Sequence, residues 1–172
     1  MKTLLLLRHA KAERDSASGR AFERSLALRG REDSAKLGAW LAGRGLIPEI
    51  IVASPSARTM ETVKFLQERL PRRIKVVEEA TIYLGSPAKL LACIHGLGGA
   101  IDIAMIVAHN PGMEELALEL ARRGPKDDMR RLEEKFPTCS LAIFESDVVQ
   151  WSDVSRKTSQ LIDFYTPHDF DD

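Results

Sequence analysis

Two of the four histidines in this chain follow short apolar segments, and arginines stand close by. His109 comes immediately after one such segment, the pair Arg8-His9 follows a second, and Arg58 follows a third after a short polar stretch. Guanidinium groups donate planar pairs of hydrogen bonds that match the oxygens of a phosphoryl group. If these four residues meet at one place, they form a cationic cup for a phosphoryl group.

A neutral imidazole in such a cup can attack phosphorus. Neighbouring arginines disfavour the protonated ring and therefore lower the pKa of His9. The expected intermediate is a phosphohistidine on His9, which water then hydrolyses. Arg8, Arg58 and His109 would hold the equatorial oxygens in the transition state. Because cationic side chains supply the charge, we expect neither a metal site nor another cofactor.

The elements that carry these residues alternate between strand and helix patterns. This alternation predicts an α/β fold, a three-layer α/β/α sandwich with a mostly parallel central sheet. Ligands of such sheets bind beyond the carboxyl ends of the strands, where the histidines and arginines stand. The predicted strands are Leu4–Leu7, Ile50–Ala53, Ile74–Val77 and Ile103–Ala108. Helices are predicted over Leu28–Leu41 and from Ser54-Pro55, Ser86-Pro87 and Asn110-Pro111 onward.

The last third of the chain gives weaker patterns. Residues 122–135 are densely charged in both signs, which predicts a solvated excursion, with a substrate lid as the alternative. Leu141–Phe144 and Val148–Val154 suggest a terminal hairpin that adds an antiparallel edge to the sheet. Residues 155–172 are interpreted as a C-terminal tail, partly docked through aromatic side chains, with a frayed end at Asp171-Asp172.

Composition narrows the class of protein. A chain of 172 residues fits a single domain over 1–172, and a net charge of zero argues against a nucleic-acid-binding surface. The apolar runs are shorter than the roughly 18 residues that a membrane span needs. Cys93 and Cys139 form neither a disulfide framework nor a thiolate metal cluster, so we expect a cytoplasmic protein. The other two histidines, His95 and His168, are expected on the surface.

Three segments taken together resemble the histidine phosphatase superfamily. They are Leu6-Leu7-Arg8-His9-Ala10, Ser54-Pro55-Ser56-Ala57-Arg58-Thr59 with Glu61-Thr62, and Val107-Ala108-His109-Asn110-Pro111-Gly112. The resemblance implies a phosphoglycerate mutase-like fold, His9 as phosphoryl acceptor, and Arg8, Arg58 and His109 as phosphate ligands. Arg24 is similar to a further arginine that small members place near the pocket. The short length and the His-Asn-Pro-Gly sequence are similar to the SixA-type phosphohistidine phosphatases.

The chain departs from the superfamily pattern at two places. Ala10 stands where the family has glycine, and the region after the third strand offers only Glu78 and Glu79 as acids, closer to the strand than expected. An alkoxide leaving group benefits from a general acid, whereas imidazole, with a ring pKa near 6.5, leaves far more readily. The loop over residues 10–25 is also too short for a deep lid. We therefore expect a phosphohistidine on another protein as the substrate.

Two alternatives stay open. One is a small-molecule phosphomonoesterase that uses Glu78 or Glu79 as the acid and takes a small phosphorylated substrate. The other, from a different class, is a phosphate-binding interaction module without turnover. An intact His9 speaks against the second alternative, because binding alone does not need a nucleophilic imidazole.

Overall fold

A seven-stranded sheet runs through the computed structural model, which describes residues 1–170. Asp171 and Asp172, predicted to form a frayed end, lie outside the described residues. The strands are β1 (Lys2–Arg8), β2 (Ile50–Ala53), β3 (Lys75–Glu78), β4 (Ile103–Ala108), β5 (Ala121–Arg123), β6 (Leu141–Ser146) and β7 (Ser159–Tyr165). The helices are α1 (Leu28–Gly43), α2 (Ala57–Gln67), α3 (Pro87–His95), α4 (Gly112–Leu120) and α5 (Lys126–Glu134).

Helices cover both faces of the sheet. Leu5 and Leu7 of β1 pack with side chains of α1 and α2, whereas Leu4 and Leu6 pack with side chains of α3 and α4. Because both faces are covered, all four leucines are buried, which explains why the strand reads as a continuous apolar run. The predicted three-layer α/β/α sandwich is confirmed. Within residues 1–170, no helix combines the length and the apolar character needed to cross a membrane.

The strand order is β3-β2-β4-β1-β6-β7-β5. β4 pairs in parallel with β1 and β2, β2 pairs in parallel with β3, and β5 pairs in parallel with β7. Only β6 runs antiparallel to both of its neighbours, β1 and β7. The mostly parallel sheet is confirmed, but the expected antiparallel edge is wrong, since β6 lies inside the sheet.

Two helices begin later than predicted. α2 begins at Ala57, so Ser54-Pro55 belongs to the turn that leads from β2 into the helix. α4 begins at Gly112, after Asn110-Pro111. Ser54 Oγ contacts His109 instead of capping α2, whereas Asn110 Oδ1 still accepts a hydrogen bond from the Glu114 N–H in the first turn of α4, at 3.3 Å. The start at Ser86-Pro87 is confirmed, because Ser86 Oγ accepts a hydrogen bond from the Lys89 N–H at 3.3 Å.

The C-terminal third contains more regular structure than the sequence indicated. Residues 122–135 are mostly exposed, but they form the end of β5 and the helix α5, whose Leu132 is buried. The partner of β6 is β7 and not Val148–Val154, so the predicted C-terminal tail contains a strand of the sheet. A register shift beside Phe144 disturbs the alternation of β7 side chains. This irregularity explains why the strand pattern was missed.

Val148–Val154 packs into the core through a different geometry. Residues Trp151–Asp153 form a short 3₁₀ turn, and Trp151 and Val154 are buried against the α3 and α4 side of the sheet. A spacing of three residues matches the three residues per turn of a 3₁₀ helix, so apolar side chains at this spacing share a face. The same spacing cannot be satisfied by a strand, whose side chains alternate with period two.

The loop after β1 is held against α1 by a close backbone approach. A Cβ atom added to Gly30 in α1 would collide with the carbonyl oxygen of Lys11. The same carbonyl accepts a hydrogen bond from the Ala27 N–H at 2.9 Å. Glycine at position 30 therefore fixes the path of the chain two residues beyond His9.

We expect Gly30→Ala to lower the free energy of unfolding by about 1–3 kcal/mol, because an added methyl forces the loop away from the helix. The matched control is Gly43→Ala in the same helix, where no heavy atom lies within 4 Å of the added Cβ. That variant should keep or raise stability by up to about 1 kcal/mol through helix propensity. Equal denaturation midpoints in urea for the two variants would show that the contact between Gly30 and the Lys11 carbonyl does not require glycine.

Candidate active site

A cavity of about 350 Å³ opens at the carboxyl ends of the central strands β1, β2 and β4. β1 delivers Arg8 and His9, β4 delivers His109, and the turn after β2 leads into α2 with Arg58 in its first turn. The expected convergence of these four side chains is therefore present. The lining residues are Arg8, His9, Lys11, Ala12, Arg24, Arg58, Leu84, His109, Asn110 and Thr138.

The ring of His9 is oriented by the backbone. Its Nδ1–H donates to the carbonyl oxygen of Ala10 at 2.7 Å, which assigns the proton of the neutral ring to Nδ1. Nε2 is left with a free electron pair, towards which the Arg58 Nε–H points at a distance of 3.4 Å. His9 is only 7% exposed, so its ring has little freedom to turn. The geometry presents Nε2 as a nucleophile.

The environment keeps His9 neutral. Burial lowers its pKa from 6.5 to about 4, and the positive charges of Arg58, Arg8 and Arg24 act in the same direction. The hydrogen bond to Ala10 opposes the shift but is outweighed. A ring that would be half protonated near pH 6.5 in water is therefore unprotonated at neutral pH, as nucleophilic attack on phosphorus requires.

His109 is fixed by hydroxyl groups on the other side of its ring. Ser54 Oγ lies 2.7 Å from His109 Nε2, and Thr59 Oγ1 lies 3.4 Å from the same nitrogen. Nδ1 is buried and has no hydrogen-bond partner. Burial lowers the pKa of His109 to about 3, with His9, Arg58 and Arg8 adding to the effect. If the Ser54 hydroxyl donates to Nε2, the neutral ring carries its proton on Nδ1, where no protein group accepts it.

The two central arginines are anchored by backbone carbonyls. Arg8 Nη1–H donates to the Phe136 carbonyl oxygen at 3.0 Å, and the Asn110 side-chain amide donates to the same oxygen at 2.9 Å. Arg58 Nη1–H donates to the Ala21 carbonyl oxygen at 3.0 Å. Each guanidinium therefore has one nitrogen held by the protein, which limits the rotamers available to the charged group.

Arg24, implied by the family resemblance alone, also lines the cavity. Its Nη1–H donates to the Glu13 carbonyl oxygen at 3.1 Å, and its Nε is buried without a partner. Arg8 Nε and His109 Nδ1 are in the same condition. Buried donors in proteins are nearly always paired, so three unpaired nitrogens among the side chains of one cavity indicate a missing acceptor. The oxygens of an anion are acceptors of the kind that these donors lack.

Glu78 and Glu79 do not reach the cavity. Glu78 ends β3 with an exposed side chain, and the Glu79 carboxylate accepts hydrogen bonds from the N–H and the hydroxyl of Thr81, at 3.3 and 2.9 Å. Among the described residues that line the cavity there is no carboxylate. The structure therefore does not place either glutamate as the acid of a phosphomonoesterase.

Several residues of the site were missed or misread in the sequence. Ser54 was interpreted as a helix cap, although its position at the carboxyl end of β2 was a signal that it could reach the site. Tyr83 lies with its ring centre 5.8 Å from the Arg58 guanidinium and packs edge-on against the His109 ring at 5.3 Å. The Phe136 carbonyl gave no signal, because a backbone acceptor has no sequence signature.

The remaining histidines stay at the surface, as expected. His95 is exposed, and its Nε2 lies 2.6 Å from the Val154 carbonyl oxygen; His168 is exposed as well. Over residues 1–170, no three side chains of the types His, Cys, Asp or Glu are grouped so that they could hold a metal ion.

Comparisons with known proteins indicate the family and fold that this chain resembles. Residues 4–81 match the sequence model of the histidine phosphatase superfamily, branch 1. A structure assigned as the phosphohistidine phosphatase SixA of Agrobacterium tumefaciens is 27% identical in sequence, with a TM-score of 0.80 over 96% of this chain and 98% of that chain.

Two further structures are similar in fold alone. The protein histidine phosphatase SixA complexed with tungstate is 19% identical, with a TM-score of 0.79 over 98% of this chain and 99% of that chain. A phosphoglycerate mutase from Plasmodium falciparum is 14% identical, with a TM-score of 0.59 over 95% of this chain and 89% of that chain. The predicted phosphoglycerate mutase-like fold is confirmed. The sequence model and these structures together indicate that the chain is a phosphatase similar to members of the histidine phosphatase superfamily.

Proposed function

We propose that this protein removes phosphoryl groups from phosphohistidine on a partner protein, through a phosphohistidine intermediate on His9. The observation that carries the proposal is the unprotonated His9 Nε2 in a cavity shared with Arg8, Arg58 and His109. Arg8, Arg58, His109 and Arg24 bind the phosphoryl oxygens. The charge that develops in transfer is met by guanidinium groups, so the mechanism needs no metal or other cofactor.

In the first step, the His9 Nε2 electron pair forms a bond to phosphorus. The N–P bond of the substrate breaks, and its electron pair returns to the substrate imidazole nitrogen. If the substrate ring enters with a proton on its other nitrogen, it leaves as neutral imidazole. His9, protonated on Nδ1, becomes the phosphorylated imidazolium. No proton changes hands, so the step works without a general acid.

In the second step, water attacks phosphorus and the Nε2–P bond breaks. The electron pair returns to Nε2, and His9 is again neutral with its proton on Nδ1. Both water protons remain on the product, dihydrogen phosphate. Burial and the arginines keep the released His9 ring unprotonated, so Nε2 is ready for the next turnover.

The choice of phosphohistidine over alkyl phosphates rests on the leaving group. Expelling an alkoxide without an acid forfeits a factor of about 10²–10⁴ in rate, whereas imidazole needs no such help. The lack of a carboxylate among the described lining residues therefore favours N–P bonds. The similarity to structures named for SixA supports the same substrate class.

A phosphohistidine on a phosphorelay or phosphotransfer protein is the substrate we favour. The cavity is open at its mouth, where Lys11 and Leu84 are exposed, so a side chain on a folded partner can enter. A cytoplasmic location, a single domain over 1–172 and the lack of nucleic-acid and membrane partners stay predictions. Cys93 and Cys139 are both free thiols.

Trapping the intermediate tests the proposal. With a phosphohistidine peptide as donor, we expect a phosphoenzyme that is labile in acid and stable in base. His9→Ala should abolish it and lower the rate of hydrolysis by at least about a thousandfold, because the variant lacks the attacking imidazole nitrogen. The surface variant His95→Ala serves as the matched control and should behave like the wild type.

Substrate comparison separates the alternatives. Faster turnover of alkyl phosphates than of the phosphohistidine peptide would favour a small-molecule phosphomonoesterase. Phosphate binding without an adduct from any donor would favour a non-catalytic module.

The hydroxyl of Ser54 should set the proton position on His109. Ser54→Ala removes the contact at 2.7 Å, and we expect kcat/KM to fall by about 10- to 100-fold as His109 loses its orientation. In ¹⁵N spectra the wild-type ring should show a protonated Nδ1, and this signature should be lost in the variant. Ser34→Ala, an equally buried serine that bonds the Gly30 carbonyl, should change neither quantity.

Acid should weaken the fold through the two buried histidines. Both bind protons less readily in the native state, with pKa values of about 4 and 3, than in the unfolded chain near 6.5. Stability is therefore full above pH 6.5 and declines as pH falls towards 4, by at most about 1.4 kcal/mol per pH unit for each ring. Urea denaturation at pH values between 7 and 4.5 should show that the free energy of unfolding depends less steeply on pH in His9→Gln than in the wild type. If both proteins lose stability equally as the pH falls, His9 does not have the lowered pKa described above.

A further inference from the structure

One exposed apolar side chain lines the mouth of the cavity, and a second packs on the residue that precedes it. Leu84 is 55% exposed and lines the cavity, and Phe22 is 38% exposed. Phe22 follows Ala21, whose carbonyl accepts the hydrogen bond from Arg58. Of the large apolar residues that are exposed within the described chain, these two stand beside the phosphate-binding residues. Exposed apolar groups next to a binding cavity indicate a contact with a ligand.

Leu84 is held in an unfavourable backbone conformation. Its φ of +50° lies in the left-handed region, which is rarely adopted by a bulky non-glycine residue. The turn is fixed on both sides: the Gly85 N–H donates to the Ile82 carbonyl at 3.2 Å, and Gly112 of α4 packs so closely on the Gly85 carbonyl that a Cβ would collide with it. While Ile82 is buried, the Leu84 side chain projects into solvent at the mouth. Strain of this kind persists where a residue has a functional contact.

Phe22 is connected to the phosphate site through Tyr83. The Phe22 and Tyr83 rings meet edge-on with centroids 5.0 Å apart, and Tyr83 meets the His109 ring edge-on at 5.3 Å. The Arg58 guanidinium lies 5.8 Å from the centre of the Tyr83 ring. These contacts make the apolar mouth a fixed extension of the phosphate-binding residues.

The geometry of phosphoryl transfer to His9 places the leaving group near Leu84 and Phe22. Attacking and leaving atoms lie roughly in line across phosphorus, so the leaving group is opposite His9 Nε2. His9 is buried in the cavity, so a donor carried by another protein must enter and leave on the open side, where the exposed Leu84 lines the cavity. There the departing group meets the aliphatic side chain of Leu84, and the Phe22 ring packs on Tyr83, the residue before Leu84.

We propose that Leu84 and Phe22 form a leaving-group subsite that packs against the flat ring of the phosphohistidine donor. This inference rests on the proposed function and narrows it, because an apolar subsite recognises a planar ring and not merely an N–P bond. A sugar phosphate, whose hydroxyl groups would lose water against Leu84 without finding partners, is disfavoured by the same surface.

The test compares two donors that share the N–P bond and differ in the ring. A phosphohistidine peptide carries the imidazole, and phosphoramidate releases ammonia. The variant is Leu84→Asn, which keeps a similar size, tolerates a positive φ and removes the apolar surface. Leu84→Gly is a second variant that removes the side chain without backbone strain. The matched control is Val149→Asn, a change of an 81% exposed residue that does not line the cavity.

We expect kcat/KM for the phosphohistidine peptide to fall about tenfold in both Leu84 variants, mainly through KM, as apolar contact with the ring is lost. The rate with phosphoramidate should stay within about twofold of the wild type, which also reports that the variant is folded. Phe22→Ala should act in the same direction, and Val149→Asn should change neither rate.

If the Leu84 variants lose the same factor in kcat/KM with both donors, or lose none with either, Leu84 and Phe22 do not form a leaving-group subsite. That outcome leaves the proposed function standing if the wild-type protein still forms the His9 phosphoenzyme. A wild-type protein that forms no phosphoenzyme from either donor overturns the proposed function and the subsite together. The two failures are therefore distinguished by the wild-type adduct.

Discussion

The hydrogen bond from His9 Nδ1 to the Ala10 carbonyl is the constraint on which the site depends. It places the proton of the ring on the nitrogen that faces the backbone, so that Nε2 keeps its electron pair. Burial and three arginines then prevent a second proton from binding at neutral pH. Without this single contact the ring could present an N–H to the substrate, and the surrounding positive charge would hold phosphate without a nucleophile.

The rest of the fold meets two requirements that oppose each other, an unprotonated imidazole and a high positive charge. A nucleophilic imidazole must stay unprotonated, whereas a phosphoryl group binds where positive charge is concentrated. Guanidinium groups meet both needs, since they keep their charge when buried and repel a proton from the ring. The parallel strands β1 and β4 place His9 and His109 side by side, with ring centres 5.2 Å apart. Backbone carbonyls of distant loops, at Ala21 and Phe136, then orient the arginines.

Much of this could be predicted, because the signals are local. Continuous apolar runs identified β1, β2 and β4 within a few residues, and parallel strands must end at a common edge. Errors arose where long-range contacts decide the outcome. β7 was not predicted, because the register shift opposite β6 interrupts the alternation of its side chains. Ser54 was predicted to cap a helix, whereas its hydroxyl contacts His109.

The sequence by itself determined the residue types of the site and the edge of the sheet where they gather, since both follow from side-chain chemistry and strand periodicity. Only the tertiary structure decided which ring nitrogen carries the proton, which carbonyls hold the arginines, and that Leu84 rather than a glutamate faces the mouth. These features depend on backbone atoms and on contacts between residues far apart in the chain. Backbone atoms are the same in every residue, so a sequence cannot mark the ones that matter.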